Sequence, residues 1–582
     1  MKAIRLVGFL LFFFVTCTDA QSQSGPFRGN KTLDYGSLIK EYRKVDTDHK
    51  MAKLIDFGTA DVGKPLQLLI IDKSQSFDVS AIKASQKAVL LINNGIHPGE
   101  ACGIDASLLL VKELLKAESE LHQLLDDVVV LVIPAYNIGG MLNRGSFSRA
   151  NQNGPEAYGF RGNAKNLDLN RDFIKCDSKN AASFNQMYHK WSPDVYAETH
   201  TTNGSDHQYT LTLISSQEDK LQASLAQFQT NIFVPQLFKA MKAEKKEMTP
   251  YVYPIKQDPK DGIKAFLETP RYSTGYTALH HSLGFITEAH VFKPYEARVN
   301  HTYAFLKTLL NHTAKHKAQI KAARKAAKTA SREEKFQSID WKLDSSSYRQ
   351  INFKGYERAK KISEITANEM HFYDQSKPYE KTIPFYGRYQ SRTRIKKPQA
   401  YVIPQAYRKV IERLKWNGVK MSRLEKDQVV YLSYYKIENY KTLDKAYEGH
   451  YLHYDISVSK EKDSLQLFEG DYVVSTGQEA DNYLVHVLEP QSVDGFFAWN
   501  FFDGILQQKE WFSDYAFEPK AKEILANNPE IRAKFKKAKQ EDSLLRKNNF
   551  AQLYFIYKLS PYYESTVNRF PIYRIETKRA ND

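Results

Sequence analysis

Apolar and polar positions follow two rhythms in the first half of the chain. Short, mainly apolar runs at 66–71, 88–92, 128–133, 195–199, 209–213 and 284–287 are strand candidates, and the continuous run at 88–92 has the character of a strand buried on both faces. Between them, helical spacing predicts helices over 104–115, 179–191, 222–241 and 294–310. This alternation, from about 32 to 312, predicts an α/β sheet covered by helices. The stretch 315–328, KHKAQIKAARKAAK, is Ala- and Lys-rich at helical spacing and reads as a solvated face, within a basic helical linker over 313–335. From 336 to 582 the texture changes. Tyr, Phe, Thr and Val recur in short segments such as 428–435, 450–458 and 470–476, which predicts a largely antiparallel, β-rich domain with room for two subdomains. Helices are expected there over 407–416 and 519–539.

A chain of 582 residues exceeds what one core organises, so two or three domains are expected. The net charge of +16 with 13% aromatics invites a nucleic-acid reading. That reading is set aside, because the charge is spread along the chain and no nucleic-acid motif accompanies it. Lys2 and Arg5 precede an apolar run over 6–15, and Thr18-Asp19-Ala20 supplies small residues. Residues 1–20 therefore read as a cleaved signal peptide that sends the protein out of the cytoplasm, to the periplasm or the medium. The run is too short to remain as a transmembrane segment. Cys17 leaves room for a lipid-anchored form. After cleavage only Cys102 and Cys176 remain, so disulfides are not the scaffold, and both cysteines read as small buried apolar groups.

The candidate chemistry begins where the 88–92 run ends. In KAVLLINNGIHPGE (87–100), turn residues Asn93-Asn94-Gly95 lead to His97 and Glu100 just before a helix. A neutral imidazole and a carboxylate three residues apart can face one cation, and carboxyl ends of strands are where open α/β sheets bind ligands. The segment VYAETHTTN (195–203) carries His200 on another apolar run, and GFITEAH (284–290) carries Glu288 on a third. KNLDLNRDF (165–173) sets Asp168, Asn170 and Arg171 among apolar neighbours. His207, His280, His281 and His290 lie close to these motifs and read as structural groups.

Taken in order, His97-Pro98-Gly99-Glu100, Asp168-Leu169-Asn170-Arg171, His200 and Glu288 resemble the zinc metallocarboxypeptidases of the funnelin type. The resemblance implies a mixed eight-stranded sheet flanked by helices, followed here by the β-rich domain. It implies one zinc ion per chain, held by His97, Glu100 and His200 with a fourth position open for water. It implies Glu288 as general base and Asn170 with Arg171 as the clamp on the terminal carboxylate of a peptide substrate. An arginine that stabilises the oxyanion is implied ahead of the Asn-Arg pair. Arg161 is preferred for it, with Arg149 as the competitor. A tyrosine that covers bound substrate is implied ahead of Glu288, and Tyr272 and Tyr276 both qualify. Asp168 reads as structural, fixing the loop that presents Asn170 and Arg171.

Two further readings keep the scaffold and change the chemistry. The run after His200 and the Asp-Leu-Asn-Arg stretch also resemble N-acyl amino acid deacylases, which share the zinc ligands, and a cell-wall peptide amidase would need the same groups. A metal-dead binding protein is the non-enzymatic alternative. In the second half, the aromatic-rich stretch 482–504 reads either as a carbohydrate- or peptide-binding platform or, preferred, as a β-domain core packed on the catalytic domain. The tail resembles that of large secreted bacterial members of the family.

Overall fold

The computed structural model describes residues 29–202 and 204–576; the expected signal segment and Cys17 lie outside the described residues. Among the described residues the first half has nine strands: β1 (Ala52–Thr59), β2 (Pro65–Ile71), β3 (Ala88–Asn93), β4 (Val128–Ile133), β5 (Val195–Thr202), β6 (Leu211–Ser215), β7 (Thr249–Pro250), β8 (Ile263–Lys264) and β9 (Leu283–His290). All but β8 form one eight-stranded mixed sheet in the order β1-β2-β4-β3-β5-β9-β6-β7. Its centre is parallel, β4-β3-β5-β9, with antiparallel pairs on either side.

The two-residue period of the strands divides the core. Leu90, Ile92, Val130 and Val132 face the helices Cys102–Leu114 and Tyr295–Lys315, whereas Val89, Leu91, Val129 and Leu131 face the helix Lys179–Trp191. Every one of these strand residues is buried, which explains why the runs read as unbroken apolar stretches.

The strands differ from the expected ranges mainly at their ends. β5 and β9 each continue three residues further, because they pair with each other through Thr202 and His290 and so satisfy polar positions that looked like loop. His200 and Glu288 thus sit inside the ladder rather than beyond it. The helix expected over 222–241 is broken by a π turn, Gln229–Phe233, just ahead of Pro235, whose missing N–H cannot continue an α ladder. The helix expected over 519–539 is two, Asp514–Asn527 and Pro529–Glu541, with Asn528 capping the second and Pro529 opening it.

The basic stretch forms the helix Lys317–Glu333. Of its lysines Lys325 is exposed and Lys317, Lys321 and Lys328 are half-buried, while Ile320, Arg324, Ala327 and Ser331 make one buried stripe. Arg324 reaches Asp194 at 2.7 Å and the carbonyl of His281 at 2.8 Å, and Asp194 in turn accepts from the backbone N–H of Val89. The helix therefore fastens the amino ends of β3 and β5.

Beyond it lie β10 (Phe336–Leu343), β11 (Arg349–Ile362), β12 (Glu369–Tyr386), β13 (Tyr389–Lys396), β14 (Ala400–Ile403), β15 (Ser422–Arg423), β16 (Gln428–Thr442), β17 (His453–Leu467), β18 (Tyr472–Ser475) and β19 (Tyr573–Ile575). A six-stranded antiparallel sheet has the order β15-β18-β14-β19-β16-β17. β12 also pairs with β8 of the first half. The core continues across position 336, since one hydrophobic cluster joins Phe173, Phe184 and Tyr276 to Tyr401, Leu414, Tyr483 and Trp499. The aromatic stretch 482–504 lies in that shared core, as the packing reading expected. It is built from the helix Asp481–Leu488 and turns rather than from strands.

Candidate active site

The site starts at the turn after β3. Asn94 is buried and its side-chain oxygen accepts from Ser107 and Thr199, which ties the turn to the next helix and to β5. Gly95 takes a φ of 67°, a conformation glycine adopts without the Cβ clash. Glu100 N–H then closes on the carbonyl of His97 at 2.9 Å, so both side chains leave the turn on the same side. Gly103 lets the following helix approach β5, since a Cβ there would lie 1.9 Å from Thr199 Oγ1.

His97, Glu100 and His200 converge, with one donor atom from each lying within 4.8 Å of the others. His97 Nδ1 is 3.1 Å from His200 Nδ1 and 3.2 Å from Glu100 Oε1, and His200 Nδ1 is 3.0 Å from Glu100 Oε2. The outer nitrogens are engaged by carboxylates: His97 Nε2 by Asp168 Oδ1 at 2.9 Å and His200 Nε2 by Glu198 Oε2 at 2.9 Å. Each carboxylate fixes its ring with the proton on Nε2, leaving the Nδ1 lone pair turned inward. Two inward lone pairs and one carboxylate suit zinc with an open coordination position, so the donor set fits the ion. Against the burial that opposes its charge, His97, Arg149 and His200 hold the Glu100 carboxyl well below its usual range, keeping it ionised for this role.

Asp168 ends the loop that carries the next groups. Its carboxylate accepts from Asn170 N at 2.9 Å and pairs with Arg161 at 2.8 Å. Burial raises its pKa, but His97 and Arg161 outweigh that and leave it well below the usual carboxylate range. Arg161 Nη1 approaches His97 Nδ1 to 3.4 Å, and Arg149 donates to Glu100 Oε1 at 2.8 Å and to Gln152. Arg171 is held by Nη1 to the carbonyl of Asn170 and by Nε to the hydroxyl of Tyr447, with its guanidinium 4.3 Å above the Tyr272 ring. Asn170 leaves its buried Oδ1 without a hydrogen-bond partner.

Glu288 stands opposite His200 in the parallel register of β5 and β9, on the same face of the sheet. Burial pushes its carboxyl up to about 7. His97, Glu100, His200, Glu288, Arg149, Arg161, Asn170, Arg171 and Tyr272 all line one cleft of about 780 Å³. Tyr276 does not. It is fully buried among Phe173, Phe184 and Tyr188, and its hydroxyl donates to Asn417 at 2.6 Å. The helix Ser273–Leu279 turns it away from the cleft, so Tyr276 is withdrawn as a substrate-covering residue.

Several residues at the site went unrecognised in the sequence. Glu198 lies two positions before His200 on one strand, and that two-residue spacing was a usable signal that both point to the same face. Asp168 holds His97 as well as its own loop. Glu268 and Tyr251 line the cleft from the irregular 244–274 stretch, where periodicity offers no guide. Glu268 is 3% exposed, its Oε2 has no hydrogen-bond partner, and burial raises its carboxyl to about 8. Its backbone carbonyl accepts from the half-buried Lys220 ammonium. His207, His281 and His290 are buried and His280 is half-buried, all outside the cleft, and the only cluster of metal-ligating groups among the described residues is His97, Glu100 and His200. Cys102 and Cys176 are free and buried.

A mixed α/β sheet with a two-histidine, one-carboxylate cluster beside β5 and β9 defines a metallohydrolase class. Residues 39–231 match the family model for zinc carboxypeptidases, Peptidase_M14. The matched stretch contains His97, Glu100 and His200. A carboxypeptidase 2 of Trichophyton tonsurans is 20% identical over 495 residues, covering 81% of this chain and 84% of that protein. A carboxypeptidase 2 of Trichophyton equinum is 20% identical over 71% of this chain and 74% of its own length. Among solved structures, the metallo-carboxypeptidase of Burkholderia cenocepacia aligns at 16% identity and a TM-score of 0.36, over 48% of this chain and 69% of that one. No helix among the described residues is long and apolar enough to cross a membrane.

Proposed function

We propose that the protein is a zinc-dependent exopeptidase that removes residues from the carboxyl end of peptides, with one zinc ion per chain. The observation that carries this reading is that Asn170 and Arg171 share one cleft with the His97–Glu100–His200 cluster and Glu288. Bound by those three residues, zinc supplies Lewis acidity to the scissile carbonyl and lowers the pKa of a water toward neutrality. Glu288 takes a proton from the attacking water and passes it to the leaving amine as the water oxygen bonds to carbon and the C–N bond breaks. Arg161, anchored on Asp168, donates to the carbonyl oxygen as charge develops there, and Arg149 holds Glu100 in its ligand orientation. Arg171 offers a planar fork to the terminal carboxylate, with Asn170 beside it and Tyr272 over the guanidinium. Glu268, a wall group whose Oε2 has no hydrogen-bond partner, favours a terminal side chain that brings a hydrogen-bond donor. The leading segment that ends at Ala20 supports export from the cytoplasm.

Incubation with one peptide in free-acid and C-terminally amidated forms, read by mass spectrometry, tests the proposal. Stepwise loss of terminal residues from the free acid alone, abolished by chelator, is the expected result. Turnover confined to N-acyl amino acids or muropeptides would transfer the same machinery to those substrates, and no turnover of any of them by zinc-loaded protein would end the reading.

A further inference from the structure

The loop that presents Asn170 and Arg171 is not held by the first half of the chain alone. We propose that the turn Tyr447-Glu448-Gly449-His450, contributed by the second half, is the positioning element for the carboxylate clamp, so that the active site is assembled from both halves. The inference rests on the carboxypeptidase reading above.

Two bonds cross from this turn to the loop. Glu448 Oε2 accepts from the backbone N–H of Asp168 at 2.7 Å, and Tyr447 Oη accepts from Arg171 Nε at 3.0 Å. The first fixes the residue whose carboxylate orients His97 and anchors Arg161. The second fixes the plane of the guanidinium, because Nε engaged from one side leaves only one rotation of the fork about its stem.

The turn itself has the properties of a built device. Tyr447 N–H bonds the carbonyl of His450 at 2.7 Å and His450 N–H returns the bond at 3.0 Å, which closes a two-residue hairpin. Its central residues have φ of 51° and 83°. Gly449 takes such a value freely, but for Glu448 the left-handed region brings its Cβ too close to the following carbonyl oxygen. Asparagine or glycine would fill that position at lower strain. A glutamate there has a use that the backbone does not explain, and its bond to Asp168 is the one the structure supplies.

The turn is also immobilised from behind. The Tyr447 ring stacks on Trp499, which is fully buried, at 6.2 Å and 19°. Arg271 lies over both rings and is fixed by Asp494 through its backbone N–H and its Nε. His450 Nε2 lies 2.7 Å from Asp177 Oδ2, five residues beyond Asp172 in the same connecting segment as the loop. A contact set of this kind transmits the rigidity of the shared core to Arg171.

Three variants separate positioning from mere folding. Tyr447→Phe keeps the ring stack and removes the acceptor. Glu448→Asn suits the left-handed backbone better but is too short to reach Asp168. Glu448→Gln keeps an acceptor at full length and serves as the rescue. Steady-state kinetics on a free-acid peptide, with melting temperature and zinc content of each protein, give the readouts. Expected are a KM raised about tenfold in Tyr447→Phe and Glu448→Asn, kcat held within about threefold, near wild-type KM in Glu448→Gln, and an undiminished melting temperature in Glu448→Asn. If the turn were only structural, Glu448→Asn would melt higher and bind substrate as well as before. Unchanged KM in both Tyr447→Phe and Glu448→Asn, with wild-type enzyme active, overturns this inference and leaves the proposed function standing. A wild-type enzyme that cleaves no free-acid peptide overturns the proposed function and this inference with it.

Discussion

Replacing Glu198 by glutamine alters one atom in a site with no solvent access. The carboxylate receives four donors: Asn93 Nδ2 at 2.9 Å and the Tyr196 hydroxyl at 2.7 Å on Oε1, and His200 Nε2 at 2.9 Å and the Ser273 hydroxyl at 2.7 Å on Oε2. An ionised carboxylate accepts all four. A glutamine has one oxygen, and its NH₂ group must face either the histidine or the Asn93 amide. Facing the histidine would force the proton from Nε2 to Nδ1 and remove the lone pair turned toward the metal site. Facing Asn93 sets donor against donor at a residue with 0% exposure, at about 1–3 kcal/mol. In the second arrangement His200 keeps its tautomer but loses the negative charge that makes its ring a better ligand. Loss of such an outer carboxylate typically lowers metal affinity about 10–100-fold, or about 1.4–2.8 kcal/mol. Competition between the protein and a chromophoric chelator for zinc at neutral pH measures this directly. Ser273→Ala, which removes one donor and leaves the charge, is expected to change the zinc Kd by less than about threefold. A folded Glu198→Gln protein that binds zinc as tightly as wild type would refute the reasoning, because it would show that the carboxylate does not govern His200.

Glu288→Gln should retain zinc and lose about 10²–10⁴-fold in kcat; full activity in that variant removes Glu288 from the chemistry. Arg171→Lys keeps the charge but not the fork, and should raise KM for a free-acid peptide by about tenfold or more, read by initial rates over a range of substrate concentrations. Acid should loosen the contact between the halves at Asp177. Burial raises the pKa of that carboxyl, but His450 and Lys175 outweigh it and hold it at about 2, below the unfolded value of about 3.9. Its contribution is therefore complete above pH of about 4 and is lost as pH falls from there toward 2. Denaturant titrations at pH 5 and pH 3 should show a smaller acid loss in His450→Ala than in wild type; equal losses would exclude the pair as a cause. In the second half, Arg574 bonds Glu489 in a fully buried pair that also receives the Tyr401 hydroxyl. Arg574→Ala leaves that carboxylate without its cation and should cost about 3–5 kcal/mol, seen as a shift of the melting transition, whereas a shift under about 1 kcal/mol would mean the pair is not holding β19 in place.

Much of the first half could be read from its pattern because its central strands are buried on both faces. Runs such as Val128–Ile133 have no polar position to confuse the period, and the turn chemistry at Asn94-Gly95 marks where β3 ends. The metal cluster was visible for a related reason: His97 and Glu100 leave one turn, while His200 and Glu288 lie side by side on adjacent parallel strands, so order along the chain maps onto position in the sheet. Where partners come from elsewhere, the pattern is silent. Tyr272 and Tyr276 are four residues apart and equivalent on paper, yet a short helix turns one over Arg171 and buries the other against Asn417. Lys317–Glu333 has the composition of a solvated linker, and only the fold brings buried partners, the Asp194 carboxylate at the foot of β5 and the His281 carbonyl, to Arg324. Local sequence thus determined the elements and the ligand set, because periodicity and turn preference act between near neighbours. The packing of the second half onto the first decided how Arg171 is held, because the bonds from Tyr447 and Glu448 span more than 270 residues of chain and exist only once both halves share a core.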